Sequence, residues 1–138
     1  MTGITDLDVL LENMSPILMD GDFVFCTQHV ENEISVEFGS LLSLKPLATF
    51  MESEGLTMVI EKRIADTEKL EYEGVFKCIT LTVHSSLEAV GLTAAVSGRL
   101  AELSISANVI AAYYHDHVFV PANKAEAALS ALANFSNK

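Results

Sequence analysis

The sequence has no tryptophan, only two cysteines and three prolines, and few basic residues among its 138 amino acids. Cys26 and Cys78 stand alone, without the C-x-x-C spacing of zinc and redox motifs or the cysteine density of a disulfide scaffold. They predict buried, reduced thiols. No charged leader with an apolar core and no apolar run of membrane-spanning length is present, so we expect a cytoplasmic chain without a membrane partner.

Positive charge is scarce, with 8 Lys and Arg against 19 Asp and Glu and a formal net charge of −11. The excess lies in residues 1–72, which have 14 acidic and 4 basic side chains, whereas residues 73–138 have 5 and 4. Such a surface repels phosphate backbones, because nucleic-acid affinity depends on basic groups that displace counterions. We therefore expect no nucleic-acid partner.

The common catalytic and nucleotide-binding motifs are also missing. The sequence has no G-x-G-x-x-G, no P-loop, no G-x-S-x-G and no H-E-x-x-H. We therefore predict neither a cofactor nor one of the enzyme classes that these motifs mark.

Half of the residues are hydrophobic and 20% are charged, which suffices for a folded core. In the first half, apolar residues at helical spacing predict a helix after Thr5 that ends at Ser15-Pro16. Strands on both sides of Asp20-Gly21 predict a hairpin. Pro46 predicts the start of a helix with apolar residues on one side, and Gly55 predicts its end before a strand at 56–60.

The second half has the clearest periodicity. Alternating residues predict a strand over 75–84, and Ser85-Ser86-Leu87-Glu88 has the spacing of a capping box, which predicts a helix over about 87–102. Strands at 105–112 and 117–120 and a last helix after Pro121 follow. Each half then has the elements of a βαββαβ unit less one terminal strand. We predict an α+β fold of two tandem ferredoxin-like units, residues 1–72 and 73–138, with antiparallel sheets and helices on one face.

The second half resembles the ACT family of regulatory domains, most fully the small free-standing bacterial proteins with two ACT-like halves. The stretches that carry the resemblance are Ser85 to Ala94 and Tyr114 to Pro121, with a further likeness at Ala48 to Thr57. The resemblance implies a non-catalytic regulatory module that binds a small effector, such as an amino acid, between paired domains. It also implies a regulated enzyme as a partner. Because each half has an incomplete unit, we expect a shared sheet and a homodimer.

Carried over by position, the family's ligand region falls on the loop from Ser85 to Gly91 and on the start of the following strand, Ile105 to Asn108. Here Leu87-Glu88-Ala89-Val90-Gly91 takes the place of the family's usual Asp-x-Pro-Gly loop. A helix N-terminus could bind the carboxylate of an amino acid, and Glu88 or Asp116 could accept its ammonium. The candidate ligand-binding residues are Ser85, Ser86, Gly91, Asn108, His115, Asp116 and His117.

Each of these residues also has a purely structural interpretation. Ser85 and Glu88 could simply cap their own helix, Gly91 could admit a crossing neighbour, and Asn108 could be a buried amide that bridges to a loop. His115-Asp116-His117 could be a structural hairpin, a ligand contact or, with His84, a metal site, although we expect His84 to lie at the far end of its strand from that hairpin. The alternative functions are a ligand-free oligomerisation module and a small metal-dependent enzyme that uses the His-Asp-His hairpin.

Overall fold

The computed structural model describes residues 6–28, 38–84 and 86–135. The elements in chain order are α1 (Leu7–Asn13), β1 (Pro16–Leu18), β2 (Phe23–Gln28), α2 (Phe38–Ser43), β3 (Ala48–Glu52), β4 (Gly55–Glu61), α3 (Lys62–Thr67), β5 (Phe76–Leu81), α4 (Leu92–Glu102), β6 (Asn108–Ala111), β7 (Asp116–Pro121) and α5 (Ala125–Ala133). A 3₁₀ turn at Ala122–Lys124 leads into α5. This is the predicted α+β fold of ferredoxin-like units, with antiparallel strand pairs and helices.

Contacts group the chain into two compact units. The larger unit consists of Met1–Asp20 and Lys77–Lys138, and the smaller unit is Gly21–Phe76. This grouping follows spatial contacts, whereas the predicted halves 1–72 and 73–138 follow the sequence, and those halves stay a prediction.

The larger unit has a four-stranded sheet in the order β1-β5-β7-β6. β1 pairs antiparallel with β5, and β6 pairs antiparallel with β7. The second half of the sequence lacks one strand of a βαββαβ unit, and β1 from the start of the chain occupies that edge. The N-terminal segment therefore completes the sheet of the larger unit.

One face of this sheet packs against helices α1, α4 and α5. The strand predicted over 75–84 forms as β5, which is shorter, and its alternation is confirmed at Ile79 and Leu81, which lie in this core together with Val118 and Val120 of β7. Val75, predicted to share their face, packs in the core of the smaller unit. Apolar residues recur at helical spacing along α4, and Leu92, Val96 and Leu100 are buried, whereas Leu103, just after the helix, is half exposed. The apolar periodicity of these elements thus specifies which face is buried.

The smaller unit has strands in the order β3-β4-β2. On the side of β2 away from β4, Phe23 pairs with Phe76. Its core lies on one face of the sheet and contains Val24, Cys26, Leu56, Met58, Ile60 and Ala65. The strand predicted over residues 56–60 is confirmed, since these residues form part of β4.

The predicted hairpin at Asp20-Gly21 is wrong. Both strands form, but β1 pairs with β5 and β2 pairs with β4. Backbone hydrogen bonds extend these separate ladders, from Met19 N to Cys78 O and from Lys62 N to Asp22 O. Long-range pairing overrides a turn signal that is only local.

The helix predicted after Pro46 is also wrong, because residues 48–52 form strand β3. Two turn residues, Ser53 and Glu54, connect it to β4 in a tight antiparallel hairpin. Apolar residues at positions 47, 50 and 51 fit a helical face, but Phe50 and Met51 are 71% and 61% exposed and do not form a buried stripe. The ladder with β4 therefore decides the local structure here.

Candidate functional site

The loop after β5 leads to the N-terminus of α4. The helix begins at Leu92, later than predicted, because Gly91 has a left-handed backbone with φ of 100° and acts as the N-cap. Ala95 N donates to Gly91 O at 2.8 Å, which starts the helical hydrogen bonding. Within the part of the chain that the structure describes, the N-cap residue Gly91 makes no side-chain cap, so the first N–H groups of α4 have no side-chain acceptor from it.

Gly91 lies just before α4 and not inside a helix. It nevertheless lies close to another element, α1, as expected for a glycine that admits a neighbour. A Cβ at this position would lie 3.0 Å from Leu7 Cδ2 of α1. Of the two interpretations of this glycine, close packing of a neighbour is therefore present in the structure.

The predicted capping box does not start α4. Ser86 Oγ accepts a hydrogen bond from Glu88 N at 3.1 Å, and Ala89 N donates to Ser86 O, so these residues form a turn inside the loop. The left-handed Gly91 separates this turn from the helix. Ser85, like Thr5, lies outside the described residues.

The tip of the β6–β7 hairpin lies beside this loop. Ala112 N donates to His115 O and closes a turn whose two tyrosines are exposed. The Tyr114 ring is 5.6 Å from the His84 ring, centroid to centroid. The expectation that His84 lies far from the hairpin is therefore wrong. β5 and β7 are neighbouring strands with Thr80 beside His117, and the residues after β5 reach the tip of the hairpin.

The sheet face away from the helices of the larger unit has a row of side chains that crosses all four strands. Ile17 pairs with Thr80, Thr80 Oγ1 lies 3.0 Å from His117 Nδ1, and His117 pairs with Ile110. Burial lowers the pKa of His117, the nearby His115 lowers it further, and the charge of Asp116 opposes both effects. His117 is thus held toward its neutral form.

Asn108 lies on this same face, where it is the cross-strand partner of Phe119. It is exposed and not buried as predicted, and its Nδ2 donates to Phe119 O at 3.3 Å. The side-chain amide of Asn108 is therefore hydrogen-bonded to the neighbouring strand β7. Asn108 is open to solvent because β6 is at the edge of the sheet.

The strand geometry divides the predicted site residues into two groups. Successive side chains of a strand point to opposite faces, so His117 and Asn108 lie on the face opposite α4 and Gly91. Asp116 is buried at 8% exposure and points, like Val118, toward the helix side. In the described part of the chain, no three His, Cys, Asp or Glu side chains come together in a way that could hold a metal ion.

A cleft of about 310 Å³ lies elsewhere, in the smaller unit, lined by Gly21, Asp22, Glu61, Lys62, Arg63 and Asp66. Both of its cationic side chains already have carboxylate partners: Lys62 Nζ is 2.8 Å from Asp66 Oδ2, and an Arg63 nitrogen is 2.9 Å from Glu61 Oε2. Sequence reasoning missed this cleft, since only the charged run at 61–63 could have indicated it.

The fold and the loop-to-helix site define a class of proteins, the small α+β modules built from ferredoxin-like units. Two family models, both described as ACT domain, match residues 2–77 and 74–134. The chain belongs to the ACT-domain family. ACT domains are in general regulatory modules that bind small molecules, and membership supports that general role for this chain.

Solved structures agree with this assignment. A protein of unknown function from Vibrio cholerae, described as a possible transport protein, is 55% identical, has a TM-score of 0.82, and is matched over 94% of this chain and 95% of its own. The regulatory subunit of aspartate kinase from Thermus thermophilus is 12% identical with a TM-score of 0.63, over 85% of this chain and 92% of its own.

Aspartokinase III of Escherichia coli, solved in complex with aspartate and ADP, is 13% identical with a TM-score of 0.66 over 90% of this chain, which spans 33% of that protein. At such low identity, this likeness and that to the Thermus subunit establish the shared fold alone. No curated protein matches the chain with a significant score. None of the helices in the described ranges combines the length and apolar character that crossing a membrane requires.

Proposed function

We propose that this protein is a non-catalytic regulatory module that binds a free amino acid at the N-terminus of α4. The observation that carries the proposal is the uncapped first turn of α4, preceded by the left-handed Gly91. A helix N-terminus combines free N–H donors with a partial positive charge, which is the complement of an α-carboxylate. Membership of the ACT-domain family supports the same class of ligand.

The loop before α4 supplies the complementary chemistry. In this proposal the carboxylate of the amino acid accepts hydrogen bonds from the N–H groups of Leu92 and Thr93. The exposed carboxylate of Glu88 accepts the ammonium group, and Ser86 holds the loop turn through its bond to Glu88 N. The contact between His84 and Tyr114 fixes the end of this loop against the hairpin.

Asn108 and His117 are not assigned to the same ligand, because they lie on the other face of the sheet. Their roles, and those of His115 and Asp116, stay predictions. The proposal also includes a cytoplasmic homodimer that acts on a partner enzyme. Binding would regulate that enzyme only if the amino acid binds with different affinities to two alternative packings of the protein and its partner.

The test is a thermal-unfolding screen of the purified protein against the twenty amino acids, followed by calorimetry on those that shift the midpoint. A ligand at 100 times its dissociation constant adds about 2.7 kcal/mol to the free energy of unfolding. We expect one amino acid or a small related group to give a shift.

Two substitutions of exposed Thr93 locate the site. Thr93→Asp puts a negative charge in the first turn of α4, where it stabilises the free helix by roughly 0.3–1 kcal/mol but repels a bound carboxylate. Thr93→Asn has nearly the same shape without the charge. We expect Thr93→Asp to lose binding while Thr93→Asn retains it. Equal binding by both variants would place the ligand elsewhere, and no shift with any amino acid would refute the proposal.

A further inference from the structure

The loop before α4 has large apolar side chains that are open to solvent. This loop connects β5 to α4, and in it Leu87 is 67% exposed and Val90 is 82% exposed. A single exposed apolar residue is common on protein surfaces, whereas a group of them at one place marks a binding surface. Both residues lie between the end of β5 and Leu92, the first residue of α4. The proposed amino-acid site is therefore bordered by apolar surface.

The tip of the β6–β7 hairpin adds two exposed aromatic rings. Tyr113 and Tyr114 are 66% and 62% exposed, and their ring centroids are 4.9 Å apart in an edge-to-face arrangement. The Tyr114 ring is in turn 5.6 Å from the ring of His84, at the start of the loop. Such rings bind further rings favourably, because the negative face of one attracts the positive edge of another. The hairpin thus supplies an aromatic surface next to the loop.

The two ends of the loop differ in their chemistry. Gly91 and the first N–H groups of α4 are at one end, and His84 with the two tyrosines is at the other. Leu87 and Val90 lie between these ends in the sequence. A free amino acid has the same division, because its carboxylate and ammonium groups are on one carbon and its side chain extends from that carbon. With the carboxylate at α4, the side chain can extend along the apolar part of the loop toward the tyrosines.

Charged side chains are scarce in both segments. Residues 78–98 contain a single Asp, Glu, Lys or Arg, which is the exposed Glu88, and residues 103–123 contain a single one, which is the buried Asp116. Neither segment has a Lys or Arg to pair with an acidic ligand side chain, and Glu88 is assigned to the ammonium group of the ligand. A charged ligand side chain would lose its hydration here without gaining an opposite charge. The two segments therefore disfavour acidic and basic amino acids.

We propose that the amino acid bound at α4 has an aromatic side chain, whose ring packs against Tyr113, Tyr114 and Leu87. This selectivity rests on the proposed function, because it concerns the same site. Pairing between rings adds roughly two- to tenfold in affinity to the effect of burying apolar area. An aromatic side chain gains from both effects, whereas an aliphatic side chain gains from burial alone.

Calorimetry of the full chain with phenylalanine, tyrosine, tryptophan, leucine, aspartate and lysine tests the selectivity. We expect an aromatic amino acid to have the lowest dissociation constant, leucine to bind roughly two- to tenfold more weakly, and aspartate and lysine to bind more weakly still. A non-aromatic amino acid that binds more tightly than all three aromatic ones, and whose binding is lost in Thr93→Asp, would overturn the aromatic selectivity and leave the site at α4 standing. Absence of binding by every amino acid would overturn both.

Two substitutions of Tyr114 test the contact with the ring. Tyr114→Ala should raise the dissociation constant of phenylalanine roughly two- to tenfold. Tyr114→Phe retains the aromatic ring and should bind phenylalanine like the wild-type protein. A loss of affinity in both variants would show that the hydroxyl group matters and not the ring, and would overturn the proposed packing.

A matched pair of leucines tests the apolar part of the loop. Leu87→Ala should raise the dissociation constant of phenylalanine about fourfold or more, which is the effect of one buried methylene group. Leu103→Ala is the control, because Leu103 is also well exposed but lies at the other end of α4, and it should leave the constant unchanged. Circular dichroism and urea unfolding check that each variant is folded, as the exposure of these side chains predicts. Unchanged binding of phenylalanine by Tyr114→Ala or by Leu87→Ala would overturn the proposal, because the ring would then lie elsewhere.

Discussion

Two glycines at the start and in the middle of α4 should respond to alanine with opposite signs. Gly91 is the N-cap of α4 with φ of 100°, and its Cβ would lie 3.0 Å from Leu7 Cδ2. Gly98 lies inside α4 and is exposed, and no atom lies within 4 Å of the position that an added Cβ would take. The same chemical change is thus made at a strained and at an unstrained position of one helix.

The magnitudes follow from the backbone. At Gly91, an L-residue in the left-handed region costs about 1–2 kcal/mol, and the reduced entropy of the unfolded chain returns about 0.4–1 kcal/mol. The contact with Leu7 adds little if that flexible side chain moves. We expect Gly91→Ala to destabilise the protein by about 1 kcal/mol. Gly98→Ala should stabilise it by about 0.8–1 kcal/mol, since alanine is the better residue in a helix interior.

Urea unfolding followed by circular dichroism measures both changes, and the two variants should differ by about 2 kcal/mol. Repeating Gly91→Ala in a Leu7→Ala background separates the steric part, because the cost should fall only by what the contact contributes. If Gly91→Ala stabilised the protein as much as Gly98→Ala, the left-handed N-cap and the start of α4 at Leu92 would be refuted.

Two further predictions concern one half-buried and one buried side chain of the larger unit. Burial lowers the pKa of His117 below 6.5. The contribution of neutral His117 to the free energy of unfolding is therefore complete above pH 6.5 and is lost as the pH falls through the pKa of the folded state. His117→Gln should flatten the pH dependence of the urea midpoint below pH 6.5, and an unchanged slope would contradict this. Burial raises the pKa of the Cys78 thiol to about 11. Native protein at about pH 8 should therefore resist thiol reagents that react readily in urea, and rapid labelling of Cys78 would contradict this.

The sheet of the larger unit explains why the second half of the sequence has too few strands for a βαββαβ unit. β1 provides the missing edge by pairing with β5. In the sequence, β1 has an adjacent and plausible partner in β2. Nothing in the three residues of β1 distinguishes β2 from β5 as a partner, because that choice depends on where the rest of the chain folds.

The sequence predicts the parts of the candidate site but not their arrangement. Family position identifies Gly91 and the loop before α4, and the structure places them at an uncapped helix end. Thr93 is not identifiable in this way, because its value depends on where the helix begins. Asn108 falls in the same predicted ligand region as Gly91, and His117 is a candidate from the His-Asp-His cluster. Only the pairing of β6 with β7 places both on the far face of the sheet.

The sequence by itself determined the acidic surface, the α+β class and the buried faces of β5 and α4, because these depend on composition and on apolar periods of two and 3.6 residues. The tertiary structure alone decided which strands pair, that residues 48–52 extend along β4, and that His84 meets the β6–β7 hairpin. These features depend on contacts between residues far apart in the chain. Local propensity differs by only about 1 kcal/mol between the alternatives, which long-range pairing outweighs.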